Sequence, residues 1–254
     1  MAPPSSQDFS RLGPPAGARV AVCGGCGGIG LAVVRGCLAT GLETFVLDLP
    51  RAAKACPLGA RFIGFDAKDE ASVKAAFAQM APRLDAVINL IGGGQGPVPT
   101  VDMDLSRFTE VVDLNLRTAF LISKHAMPLL KASGAGSLVH TATGAAFRQL
   151  SGTGDYTAAK GGLVALSRLL ATENGPTVRV NLVAPGGVTN RIAFKDGVPV
   201  DPSGLDISPI LKTIPLKRFA DPDDLVGPIL FLAGPASAYI TGQTLHLNGG
   251  MWMA

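Results

Sequence analysis

Five of the seven residues from Gly24 to Gly30 (GGCGGIG) are glycine, and the segments on either side make that turn the strongest constraint on the fold. Before it, Ala18 to Cys23 (ARVAVC) is short, apolar and rich in small and β-branched side chains, the pattern of a buried parallel strand. After it, LAVVRGCLATG has helical spacing and stops at Gly41. A strand, a bare turn and a helix make a phosphate site, because main chain without side chains admits a pyrophosphate and the helix start offers N–H donors. The spacing is G-x-x-x-G-x-G, at Gly24, Gly28 and Gly30, rather than G-x-G-x-x-G. A glycine-rich surface turn is the plain alternative, and the flanking strand and helix argue against it.

The rest of the chain continues the alternation. Strands are expected at 18–23, 43–48, 61–65, 84–91, 136–142, 177–183 and 243–248, and helices at 29–40, 69–81, 104–131, 154–173 and 221–234. This order predicts an α/β fold: a doubly wound, Rossmann-like parallel sheet in a single domain, with ligands beyond the carboxyl ends of the strands. Gly24, Asp48, Gly92, Thr143 and Pro185 all end or follow strands and so converge on one rim. Asp48 ends the second strand, eighteen residues past Gly30. An acid there accepts both ribose hydroxyls of an adenosine and repels a 2′-phosphate, which favours NAD over NADP. Arg51 reads as a solvated loop charge.

Tyr156 and Lys160 stand four apart in GDYTAAKGG, so on a helix both project from one face. An ammonium beside a phenol favours the phenolate, which suits proton exchange with an alcohol or carbonyl. With the glycine turn, INLIGG (Ile88 to Gly93), DLNLRTAF around Asn115, NLVAPGGV (Asn181 to Val188) and ITGQTLHLNGG (Ile240 to Gly250), the chain resembles the short-chain dehydrogenase/reductase family from about Ala18 to Gly250. The resemblance implies that Tyr156 is the general acid/base and that Lys160 lowers its pKa and binds the nicotinamide ribose. It implies that Thr143, in the place of a serine, holds the substrate oxygen, and that Asn115 holds a relay water. It assigns cofactor contacts to Gly24, Gly28, Ile29, Gly30, Asp48, Asp66 (toward the adenine), Asn89, Gly92, Pro185, Val188 and Asn190, besides Tyr156 and Lys160.

The chain departs from the family pattern in four places. Thr143 adds a methyl that restricts χ1 and crowds the pocket. The usual N-N-A-G is Asn89-Leu90-Ile91-Gly92, Cys23 replaces a threonine, and Asn190 replaces another, with Thr189 beside it. These departures imply a divergent branch.

At 254 residues one domain suffices, and its net charge of +3 is scattered without a basic stripe, which argues against nucleic acid. No apolar run reaches membrane length. Residues 1–17 (MAPPSSQDFSRLGPPAG) lack a signal core and read as a loose arm. Four cysteines (Cys23, Cys26, Cys37, Cys56) fit free thiols in a reducing cytoplasm. Cys26, near a helix start, is a candidate for a lowered pKa and oxidation.

Residues 190–217 break the alternation and suggest a substrate lid, with Ile207, Ile210, Leu211 and Ile214 at helical spacing over a partly apolar substrate. Phe147, Leu150 and Gly93 are further candidate pocket residues, and Arg148 is a candidate for an acidic group, although an exposed arginine is more often merely solvated. His140 reads as structural, and neither it nor His246, in the last strand, is assigned a catalytic role. Met251 and Trp252 form an apolar tail of the kind that, in the resembled family, packs against a neighbouring subunit, which implies a homotetramer or homodimer. The reading is an NAD-dependent oxidoreductase interconverting a secondary alcohol and a ketone, a small and partly apolar molecule. The alternatives are an NADPH-dependent 3-oxoacyl thioester reductase, a catalytically weak nucleotide-binding or scaffold protein and, last, a nucleotide-sugar dehydratase or epimerase.

Overall fold

Seven of the short apolar runs form one parallel sheet in the order β3-β2-β1-β4-β5-β6-β9. The strands are β1 (Arg19–Cys23), β2 (Glu43–Asp48), β3 (Arg61–Gly64), β4 (Ala86–Asn89), β5 (Gly136–Thr141), β6 (Val178–Pro185) and β9 (Thr244–Leu247). A hairpin of β7 (Ala193–Lys195) and β8 (Val198–Val200) stands apart from them. The computed structural model describes residues 12–148, 150–189, 193–195, 198–200 and 206–253. Asn190, most of the lid expected before Asp206, and residues 1–11 of the expected arm lie outside the described residues.

Helices α1 (Gly28–Ala39), α2 (Glu70–Ala78), α3 (Leu105–Val112), α4 (Thr118–Ala132), α5 (Gly154–Asn174), α6 (Ser208–Thr213) and α7 (Val226–Ala233) cover both faces. The alternation of side chains along β1 explains how. Val20 and Val22 join Val33 and Val34 of α1 and Ile229 and Leu230 of α7 in one core. Ala21 and Cys23 point the other way, to Val73 and Phe77 of α2 and Leu121 and Ile122 of α4. Each fully buried Leu, Phe or Val contributes roughly 1.5–3 kcal/mol, so the two cores hold the sheet flat against both helical layers.

Strand order reverses beside β1, whose neighbours are β2 and β4. That switch point opens a crevice at the carboxyl ends of β1 and β4. Cys23 pairs with both Leu47 and Asn89, so the loops after β1, β2 and β4 leave the sheet at one level.

Two expected helices differ in detail. The run over 104–131 is broken by a π turn, Asp113–Arg117, between α3 and α4, with the Thr118 N–H bonded five residues back to Asp113. The helix expected over 221–234 opens as a 3-10 turn, Pro222–Leu225, because Pro222 has no N–H and Asp221 and Asp224 close a capping box around it. Within residues 12–17 of the expected arm, Pro14 is buried and Gly13 lies against Leu230, while Leu12, Pro15, Ala16 and Gly17 are exposed. Among the described residues no helix is long and apolar enough to cross a membrane.

Candidate active site

Main chain builds the first part of the site. Gly24 has φ +79°, and its N–H donates to Leu47 O at 2.8 Å, extending the β1–β2 pairing by one residue before the chain turns. A Cβ on Gly30 would lie 2.1 Å from Gly24 O, so the first turn of α1 presses directly on the loop and no side chain fits between them. The N-cap, Gly27, brings no side chain to the first-turn N–H groups. They remain available to an anion at the start of a twelve-residue helix. Gly24, Gly28, Ile29, Gly30 and Asp48 line a cavity of about 400 Å³. This cradle fits a dinucleotide pyrophosphate. Asp48 accepts from Cys26 N (2.9 Å) and Leu49 N (2.8 Å), which fixes its carboxylate on the cavity rim. Arg51 also lines this cavity, closer to the site than a merely solvated charge.

The expectation of a reactive Cys26 is corrected. Burial and the Asp48 carboxylate raise its thiol to about 11, outweighing the helix start. Burial raises the thiols of Cys23, Cys37 and Cys56 too, and all four are free.

A second cavity of about 600 Å³ holds Tyr156, Lys160 and Thr143 together, with Pro185 and Val188 on its wall. It shares Ile29, Leu90 and Gly92 with the first cavity. The helical spacing of the Tyr156–Lys160 pair therefore does bring both residues to one cavity. Lys160 is 2 % exposed, its Nζ donates to Thr141 O at 2.7 Å, and it lies 5.9 Å from the Tyr156 ring centroid. The Tyr156 ring packs on main chain, since a Cβ on Gly94 would meet its Cγ at 3.2 Å. Thr143 caps the 3-10 turn Gly144–Ala146, accepting from Ala145 N at 3.4 Å.

Asn115 sits in the π turn, fully buried. Its Oδ1 accepts from Gly93 N (3.0 Å), and its Nδ2 donates to Gly93 O and Val111 O (both 2.8 Å). The amide bonds main chain, and the side chain clips the loop after β4. Gly92 makes that approach possible: at φ +146° a Cβ would come 2.4 Å from Asn115 Oδ1 and 2.8 Å from Lys160 Nζ.

Two residues named from sequence stand away from both cavities. Asn89 is buried behind the site, accepting from Ile91 N and bonding His140 Nδ1 at 3.1 Å. Asp66 is exposed beyond β3, and its carboxylate caps Lys68 N. Neither lines a cavity wall. Asn89 braces the loop that carries Leu90 and Gly92.

His140 is structural, as expected. Ser123 Oγ donates to Ala119 O and so accepts from His140 Nε2–H, leaving Nδ1 to accept from Asn89. That assigns one neutral tautomer, and burial, with Lys160 nearby, lowers its pKa to about 3.

Sequence reasoning missed the ion pair under Tyr156. Asp155, 1 % exposed, accepts from Arg107 Nε at 2.9 Å, and Arg107 Nη2 reaches Gly96 O at 2.6 Å. The signal was only an arginine and an aspartate far apart in the chain, which no periodicity links. Trp252 makes contacts within the chain. It stacks on Phe147 (5.6 Å, 24°) and meets His246 edge-on at 4.2 Å, and with Met251 it walls the chain's own cavity. Of the other candidates, Leu150, Arg148, Ile207 and Ile210 line the larger cavity, while Phe147 and Gly93 stand behind it. Ile214 is buried beside Ile207 and Phe219, with Leu211 packed against them.

A family model described as enoyl-(acyl carrier protein) reductase matches residues 24–252. The chain is 34% identical over 173 residues to a 3-oxoacyl-(acyl-carrier-protein) reductase of Synechocystis sp., spanning 67% of this chain and 66% of that protein. It is 30% identical over 245 residues to a 2,5-dichloro-2,5-cyclohexadiene-1,4-diol dehydrogenase of Sphingobium indicum, spanning 92% and 96%. A solved structure described as a short chain dehydrogenase/reductase family protein superimposes with a TM-score of 0.79 at 33% identity, covering 92% of this chain and 97% of that one. Another, a short-chain type dehydrogenase/reductase from Mycobacterium ulcerans, gives 0.83 at 26% identity, covering 94% and 90%.

Proposed function

The chain belongs to the short-chain dehydrogenase/reductase family, whose members act on CH–OH and C=O groups, and from that premise we propose that it is an NAD-dependent oxidoreductase interconverting a secondary alcohol and its ketone. The observation that carries this reading is the junction of the two cavities through Ile29, Leu90 and Gly92. A ligand seated on the glycine cradle has a continuous path to the cavity that holds Tyr156.

When bound, NAD supplies the hydride acceptor. The chain's own residues do the rest. The Tyr156 phenolate, favoured by the Lys160 ammonium, takes the alcohol proton in oxidation, and the resulting hydroxyl returns it in reduction. The Thr143 hydroxyl orients the substrate oxygen, and its methyl narrows the approach. Asn115 acts through the loop it clips, keeping Gly92 against Lys160. The apolar wall, including Leu90, Val188 and Phe219, excludes water and favours a partly apolar substrate.

Asp48 supports NAD, because a 2′-phosphate would bring like charge against its carboxylate. Arg51 on the same cavity supports the second reading, an NADPH-dependent 3-oxoacyl thioester reductase, as does the name of the Synechocystis relative. Fluorescence titration with NADH and NADPH separates the two. The NAD reading expects NADH to bind at least about tenfold more tightly, and equal or stronger NADPH binding would transfer the assignment to the second reading. Exposed Leu245 on edge strand β9, with Phe120 and Leu169 on α4 and α5, supports assembly into a homodimer or homotetramer, to be read as a mass by light scattering.

A further inference from the structure

The larger cavity carries an uneven charge. Among its described lining residues Lys160 and Arg148 are cationic, and none is acidic. Lys160 is buried and donates to Thr141 O beside the proton-transferring phenol, so its charge belongs to that machinery. Arg148 is different. It follows the turn after Thr143, its backbone N–H is fixed to Gly144 O at 2.9 Å, and its side chain is exposed. Its Nη1 leans on Met251 O at 3.4 Å, a long contact to a neutral acceptor, and it forms no ion pair with a described carboxylate.

The surroundings fix the turn that carries that guanidinium. Phe147, the residue before it, is stacked on Trp252 and set edge-on to His246 at 4.8 Å. Gly144 lies so close to Trp252 that a Cβ there would meet Nε1 at 2.9 Å. The tail and the post-Thr143 turn are thus locked together, and the Arg148 fork sits where they meet at the cavity wall. Leu150, Ile210 and Trp252 add apolar wall to the same cavity.

We propose that Arg148 is an anion subsite and that the substrate is an oxo acid or hydroxy acid: a ketone or secondary alcohol at Tyr156, an apolar body, and a carboxylate at the far end held by the guanidinium. This rests on the redox reading of the same cavity and names its substrate class. The planar fork of arginine matches a carboxylate in a two-point contact, and among the described lining residues no carboxylate competes with it. A volume of about 600 Å³ accommodates a small chain of this kind.

The test pairs acids with their neutral esters: 4-oxopentanoate, 5-oxohexanoate and 6-oxoheptanoate against the corresponding methyl esters. Binding to the protein is measured by titration calorimetry, and reduction with NADH by kcat/KM. The expected result is that at least one acid exceeds its ester by about tenfold or more in both readouts. That ratio collapses toward one in Arg148→Ala, is partly restored in Arg148→Lys, and shrinks as salt is raised. A merely structural arginine would change both partners of a pair alike and leave the ratio in place. Esters that bind as well as their acids, or an acid preference that survives Arg148→Ala, would overturn the proposal. Acids that bind with the expected preference but are never reduced would leave the subsite standing and count against the redox reading alone.

Discussion

Two side chains and one bare α-carbon meet at Gly92, on the wall shared by the two cavities. Asn115 Oδ1 and Lys160 Nζ both occupy space that a Cβ would enter, at 2.4 and 2.8 Å, and the backbone there has φ +146°. Gly92→Ala is expected to cost about 1–3 kcal/mol of stability and to lower kcat/KM by at least about tenfold, because the displaced groups are those that hold the loop and the ammonium. Gly96→Ala is the control, since a Cβ there meets nothing within 4 Å. Thermal melts and steady-state rates of the two variants check it, and equal behaviour would contradict the packing argument. His140 gives a second prediction. Its folded pKa, about 3, lies below its ordinary 6.5, so the unfolded chain binds the extra proton. The stability this gives is complete above about pH 6.5 and is lost as pH falls toward 3. Urea unfolding should show stability declining between pH 6.5 and 5, before most carboxylates titrate, and the decline should be shallower in His140→Gln. A flat profile in the parent chain would contradict the neutral, buried histidine.

Helices and strands were the most readable part of the sequence, because each is set by a local period. The strand of β1 and the helix of α5 follow from a buried apolar run and from 3.6-residue spacing, and the spans agree to within a residue or two. The π turn at Asp113–Arg117 was not readable, since it changes the hydrogen-bond partner and not the composition. It rotates Asn115 so that its amide reaches Gly93 on the loop after β4. The Arg107–Asp155 pair was hidden for another reason: it is tertiary, joining α3, the loop at Gly96 and the first turn of α5. Asp155 is nearly sealed from water, so Arg107→Met should strand its charge and destabilise the chain by about 3–5 kcal/mol. Adding Asp155→Leu should recover much of that loss. Chemical denaturation of the two singles and the double measures the coupling, and additive losses would show that the pair does not act as a unit.

At the scale of the whole molecule, topology made the site legible in outline. Parallel strands that end on one rim force Gly24, Asp48, Gly92, Thr143 and Pro185 together without any knowledge of side-chain positions. What topology does not specify is which rim residues face the ligand. Asn89 and Asp66 end or follow strands as surely as Asp48 does, yet one points into the core toward His140 and the other outward to Lys68. The return of Trp252 over its own cavity likewise depends on contacts with Phe147 and His246 that have no sequence period. The central claim is that a phenol beside an ammonium performs proton transfer at a nucleotide-fed cavity, and removing a single oxygen tests it. Tyr156→Phe should keep its fold and its NADH affinity within about twofold while losing at least about a thousandfold in kcat on any alcohol or ketone the parent chain turns over. Turnover by Tyr156→Phe near that of the parent, with NADH binding intact, would contradict the account.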